Sequence, residues 1–160
     1  MEIIKKRRSV RQYTDKQVEK DQVEELLEAA RWAPSGGNTQ PWIIKAVGDK
    51  KAQKINRFTP GIYGSPPVII VLCFDEEESD DEVMDQMSLA MAAQNICLQA
   101  ASMGLGTCMI ASFDESTVNK ILDIEQSVKP VLLVTVGHPE EVLEPPSRKE
   151  LDEFVEWIDW

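Results

Sequence analysis

One histidine, His138, and three cysteines are all the imidazole and thiol that these 160 residues carry. Cys73, Cys97 and Cys108 are odd in number, widely spaced and without a CxxC pair, and so read as reduced, buried thiols. No histidine partner is evident for Cys108, which argues against a thiol nucleophile. His138 sits in a Gly-His-Pro turn and reads as structural. The longest apolar run, Val68–Phe74, has seven residues, where a bilayer span needs about 20. The first residues lack the apolar centre of a signal peptide, so a cytoplasmic location is expected. No GxGxxG follows a strand and no GxxxxGK[ST] occurs, which removes the usual dinucleotide and nucleoside-triphosphate loops. Repeats, low-complexity segments and linkers are also missing, and 1–160 reads as a single domain.

Positive charge is scarce as well, with a net charge of −11. That argues against nucleic acid or an anionic membrane as a partner. The few cations are unevenly placed. Lys5, Lys6, Arg7, Arg8, Arg11 and Lys16 face only Glu2 and Asp15 within the first 16 residues, a local +4 on an otherwise acidic chain. Such a cluster suits either a solvated basic first turn or a local anion site. Phosphate is the natural guest of the latter, because guanidinium forks match its oxygens. The opposite excess lies at Asp75–Glu82, seven acids in eight residues, which reads as a solvated loop feeding negative charge to a helix N-terminus. No glycine-turned calcium loop accompanies it, and no metal is expected.

The chain is organised around Ala33-Pro34-Ser35-Gly36-Gly37-Asn38-Thr39-Gln40-Pro41-Trp42. Pro34 discourages helix at Ala33, and Gly36-Gly37 permit backbone angles closed to other residues. Ser35, Asn38, Thr39 and Gln40 offer hydrogen bonds. Two readings stand: an ordinary helix-to-strand loop, or a polar loop facing the edge of a planar ligand.

Around it, hydrophobic periodicity predicts a short helix at Glu2–Arg7 with Ile3 and Ile4 inward, then Ser9 and Arg11 on one side of an extended segment, then a turn at 13–15. Asp21 and Glu24 read as a capping box for a helix to Trp32, with Val23, Leu26, Leu27, Ala30 and Trp32 on its apolar face. A strand at Trp42–Val47 precedes a basic helix Asp49–Phe58 that buries Ala52, Ile55 and Phe58. Val68–Phe74 is a strand buried on both faces. A long helix follows at Asp81–Met103, apolar nearly all round and so buried on more than one side, as a central helix or at a subunit interface. Gly104 and Gly106 end it. A strand at Thr107–Ala111, a helix capped by Asp114 and running to Leu122, and a strand at Pro130–Val136 complete the order. The tail carries Phe154, Val155, Trp157, Ile158 and Trp160, and must dock on its own domain or on a second copy of the chain.

Arg7-Arg8-Ser9-Val10-Arg11 followed by the 33–42 loop resembles the FMN-dependent nitroreductase family. The likeness continues at Ala92-Ala93-Gln94-Asn95, at Gly104-Leu105-Gly106-Thr107-Cys108 and at Pro146-Ser147-Arg148-Lys149, in the expected order over nearly all of the chain. The resemblance implies an α+β fold, a mostly antiparallel central sheet wrapped by helices, working as an intertwined homodimer with residues 145–160 as an inter-subunit arm. It further implies that Arg7, Arg8, Ser9 and Arg11 hold the phosphate, ribityl chain and pyrimidine edge of FMN, and that Arg148 completes the phosphate site. Pro34, Ser35, Gly36, Asn38 and Gln40 would approach the isoalloxazine ring, in part from the partner subunit. Ile110, Ala111 and Ser112 would offer backbone N–H groups near it, although Ala111-Ser112 stands where the family more often has a glycine-containing pair.

The function so implied is NAD(P)H-dependent FMN oxidoreduction, in which NADH or NADPH gives hydride to flavin and a small electron acceptor (a nitroaromatic or quinone) then enters the same pocket. The chemistry is the flavin's, and no catalytic acid or base side chain is assigned. Two alternatives remain: a specialised relative that dehalogenates or breaks down flavin, and a flavin-binding sensor dimer without turnover.

Overall fold

Val68–Phe74 sets the architecture. In the computed structural model, which describes residues 1–159, this run is the strand β2, Val68–Asp75, flanked by β1 (Ile43–Gly48) and β4 (Val128–Gly137), with β3 (Gly106–Ile110) outside β4. Every neighbouring pair is antiparallel. The period-2 alternation of a strand sends Ile70, Leu72 and Phe74 to one face and Ile69, Val71 and Cys73 to the other. The first set packs under α2 (Lys20–Arg31) and α4 (Glu82–Ser102), with Leu26, Ala30, Leu89, Ala93 and Ile96. The second packs under α3 (Asp49–Phe58) and α5 (Glu115–Leu122), with Ala52, Ile55 and Val118. Each large side chain so buried contributes about 1.5–3 kcal/mol. A strand apolar at every position is what a sheet covered on both faces requires.

The helix ends follow local chemistry. Asp81 caps α4 by accepting from the Met84 N–H at 3.1 Å, and Asp114 caps α5 by accepting from Thr117 N–H at 2.7 Å. The box at the start of α2 is one turn-fraction earlier than the sequence suggests. Glu19 and Gln22 form it, and Asp21 lies in the first turn. Gly104 leaves α4 at φ +72°. Within the acidic run, Glu76 is held by Lys129 at 3.0 Å, which ties that loop to β4.

Several apolar residues point the other way from expectation. Ile4 in α1 (Glu2–Lys6), Trp32 and Phe58 are exposed. Trp32 instead donates its indole N–H to Glu28 at 2.8 Å, with the Arg31 guanidinium over its ring. Nor is α4 buried all round. Its sheet side is, but Met84, Met87 and Met91 form an exposed stripe that continues through Gln94, Leu98 and Ala101. Their spacing of three and four residues is that of a helix seam awaiting a partner. The tail behaves alike. Leu151, Phe154, Trp157 and Ile158 are each more than 60 % exposed, so it does not bury its side chains on its own domain. Trp160 lies outside the described residues. Among the described residues no helix is long and apolar enough to cross a membrane.

Candidate functional site

Residues 9–13 carry no regular structure of their own and are held against the edge of the sheet. Ser9 bridges Thr107 of β3, Val10 donates its N–H to the Thr107 carbonyl at 2.8 Å, and Tyr13 bridges Pro139 beyond β4. Val10 and Tyr13 are buried, which leaves Arg11 turned outward between them. The 13–15 segment is therefore more than a turn, because Tyr13 is an anchor. Arg8 reaches across the chain, its Nε donating to the Leu143 carbonyl at 3.0 Å and its Nη1 to the Lys5 carbonyl at 2.5 Å. That contact brings the 143–148 segment, and with it Arg148, to the same place.

The result is a cavity of about 390 Å³ bordered by Arg7, Arg8, Ser9, Arg11 and Arg148. Four guanidinium groups thus gather around one cavity. Among the described residues none of the four forms an ion pair with a carboxylate. Arg11 and Arg148 donate only to nearby carbonyls, those of Ser9 and of Pro146 and Ser147. Among the described residues Glu144 is the single acid on the rim. Like charges repel when left uncompensated, so the arrangement suits a dianionic guest such as a phosphate monoester.

The loop at 59–67 packs on the back of this segment. A Cβ on Gly64 would stand 2.5 Å from the Arg11 carbonyl oxygen, and one on Gly61 2.6 Å from Ser112 Oγ. Two glycines therefore let this loop lie directly on Arg11 and on the end of β3. Ile110 is there in the last ladder pair, with Leu133, and Ala111 and Ser112 follow it. Sequence reasoning gave this loop no part in the site. Its two glycines were the available signal.

The remaining candidates are elsewhere. In the 33–42 loop, Gly37, Asn38 and Gln40 have φ of 56°, 61° and 54°, three left-handed residues within four. Asparagine tolerates this region, but glutamine adopts it at a cost. Ser35 holds the turn by accepting from the Gln40 N–H at 3.0 Å. Gly36 is required for a different reason than Gly37. A Cβ there would collide with the Met84 side chain on the first turn of α4. Pro34, Asn38 and Gln40 are exposed, and Ser35 and Gly36 half-exposed. The cavity this loop borders, about 440 Å³, is walled by Asp75, Glu78, Asp80, Asp81 and Asp85 and is hostile to phosphate.

Distance separates the two halves. Gly36 packs on Met84, whereas Arg7 and Arg8 share a cavity with Ala101 near the other end of the same helix. Seventeen residues at 1.5 Å each put these points about 25 Å apart. One chain does not bring its arginine cluster and its polar loop together.

No side chain nearby is poised as a nucleophile. Burial raises the Cys97 and Cys108 thiols above their ordinary value, against the lowering pull of Arg7 on both and of Arg11 on Cys108, and pushes Cys73 up to about 12. His138 contributes its backbone carbonyl, which accepts from the Thr14 N–H at 2.9 Å.

The family model described as "Nitroreductase family" matches residues 4–63 and 56–138. A protein from Thermus thermophilus named NADH dehydrogenase is 30% identical, over 95% of this chain and 92% of its own length. One from Bacillus subtilis named FMN reductase (NADPH) is 28% identical over 87% of this chain and 65% of its own length. A solved structure from Desulfovibrio desulfuricans, in complex with FMN, superposes with a TM-score of 0.90 at 29% identity, covering 99% of this chain and 96% of that one.

Proposed function

This chain belongs to the nitroreductase family, and from that premise we propose that it is an FMN-dependent NAD(P)H oxidoreductase reducing a nitroaromatic, quinone or related small acceptor. The observation that carries the reading is the set of four arginines around one cavity that have no carboxylate partner among the described residues. FMN fits this donor set, since its phosphate is the dianion that the cluster suits. FMN held there would supply the hydride chemistry between NADH or NADPH and the acceptor.

The chain's own residues bind, orient and shield. Arg7 and Arg148 hold the phosphate by charge-assisted hydrogen bonds, and Ser9 and Arg11 line the path from it. The backbone at Ala111 and Ser112, held by the 59–67 loop, offers N–H donors to the ring edge. The polar loop, with Ser35, Asn38 and Gln40, closes the site from a second copy of the chain, because 25 Å separates it from the arginines of its own. The exposed methionine stripe of α4 and the apolar tail at 145–159 are the surfaces that would join the copies, the tail serving as an arm over the partner.

A single pocket serving donor and acceptor in turn requires ping-pong kinetics. Initial rates over a matrix of donor and quinone concentrations should give parallel double-reciprocal lines. Intersecting lines would mean that both substrates bind at once, and would remove the shared pocket.

A further inference from the structure

The Tyr13 side chain turns back beneath the anion-binding segment. Its ring packs so closely on Gly137 that a Cβ there would stand 2.6 Å from ring Cδ1. Its hydroxyl donates to the Val10 carbonyl, three residues earlier, at 2.7 Å and lies 2.7 Å from Thr135 Oγ1. Thr135, buried in β4, also donates to the Cys108 carbonyl on β3 at 3.2 Å. Two hydroxyl protons are shared among three contacts inside a dry patch spanned by the segment and two strands, so a proton placed between Tyr13 and Thr135 is withdrawn from one of the two carbonyls. Burial keeps the phenol protonated, its pKa raised well above the ordinary value, with the Thr135 contact opposing this more weakly.

The geometry matters for what lies between the pins. Residues 9–13 have no helix or ladder of their own, so their shape depends on a few cross-links. Val10 is pinned by its N–H to Thr107 and Tyr13 by its hydroxyl to Thr135. The bond from Tyr13 to the Val10 carbonyl closes the short turn that presents Arg11 and sets the carbonyl of Ser9 to which Arg11 donates.

We propose that Tyr13, paired with Thr135, is a positioning residue for the cofactor: it locks the 10–13 turn and so fixes the direction in which Arg11 meets the flavin. The inference rests on the FMN reading above. Tyr13→Phe keeps the ring on Gly137 and removes only the hydroxyl. It leaves the Val10 carbonyl without its partner, and the freed segment holds Arg11 in many orientations. Equilibrium dialysis of the full-length chain against FMN should show about tenfold weaker binding for Tyr13→Phe and for Thr135→Val. In an Arg11→Ala background, Tyr13→Phe should change FMN affinity less than about twofold, since the group it positions is gone.

An unchanged affinity for Tyr13→Phe would overturn the proposal, as would an equal loss with and without Arg11, which marks a general structural effect. Should Tyr13→Phe fail to fold, Thr135→Val decides by the same comparison. Wild-type chain that takes up no FMN rejects the functional reading and this inference with it. Wild-type binding that neither variant alters rejects Tyr13 alone.

Discussion

Replacing Arg7 and Arg148 together with alanine is expected to weaken FMN binding at least about 100-fold. A hydrogen bond to a charged group contributes about 1.5–3 kcal/mol, and two such losses span roughly two to four decades, at about 1.4 kcal/mol each. The lower figure is the safer expectation because Arg148 is exposed and screened by solvent. Arg7 makes the better target of the adjacent pair. Arg8 is committed to the Leu143 and Lys5 carbonyls, so its removal would move the 143–148 segment as well as a charge. Arg7 carries no such duty among the hydrogen bonds of the described side chains. Fluorescence titration of the stripped protein with FMN measures the effect directly. A loss smaller than about threefold would show that these cations do not hold the phosphate.

A second large effect should come from far away. Met87→Glu with Met91→Glu places two carboxylates on the exposed stripe of α4 in each copy. If two stripes face each other, four like charges enter an apolar seam, where burying even one unpaired charge costs several kcal/mol. Sedimentation should find a monomer at concentrations where the wild type is dimeric. FMN should be lost with the dimer, although neither methionine borders the arginine cavity. The link is the separation of about 25 Å between Met84, on which Gly36 packs, and the helix end beside Arg7. A monomeric variant with wild-type FMN affinity would place the whole site within one chain and refute the shared arrangement.

Much of this was legible in the residues, and the exceptions have physical causes. β2 could be read because a two-faced strand must be apolar at every position, and Val68–Phe74 is. The caps Asp81 and Asp114 could be read because a short carboxylate before a periodic segment has few other uses. The α2 cap was misplaced since acids at 19, 21 and 24 allow two boxes, and only the backbone chooses. Periodicity turned Ile4 and Trp32 inward where the structure exposes them, and it left the α4 methionines open between a core and a subunit interface. An apolar face reads the same whether its own sheet or another copy covers it. Phe58, at the end of α3, is exposed for no reason that the structure of one chain supplies.

At the site, the arginine cluster declared itself by charge contrast, as +4 on an acidic chain. The glycine pair declared itself too, but with one role where the structure has two. Gly37 supplies a left-handed angle, and Gly36 admits Met84. Tyr13 was hidden because strict alternation from Ser9 and Arg11 would turn it outward. A bend between Val10 and Tyr13 buries both. Bends of that kind are set by hydrogen bonds and bridges to β3 and β4 residues 97 or more positions away (Val10 to Thr107, Tyr13 to Thr135), and local pattern carries no trace of them.

The most direct test of the account is the visible absorption spectrum of the freshly purified, dialysed protein, before and after anaerobic addition of NADH and then NADPH. A flavin spectrum close to one FMN per chain that bleaches with one donor or both is the expected result. A colourless protein that takes up no FMN on titration would contradict it, and would leave the four arginines as a site for some other anion.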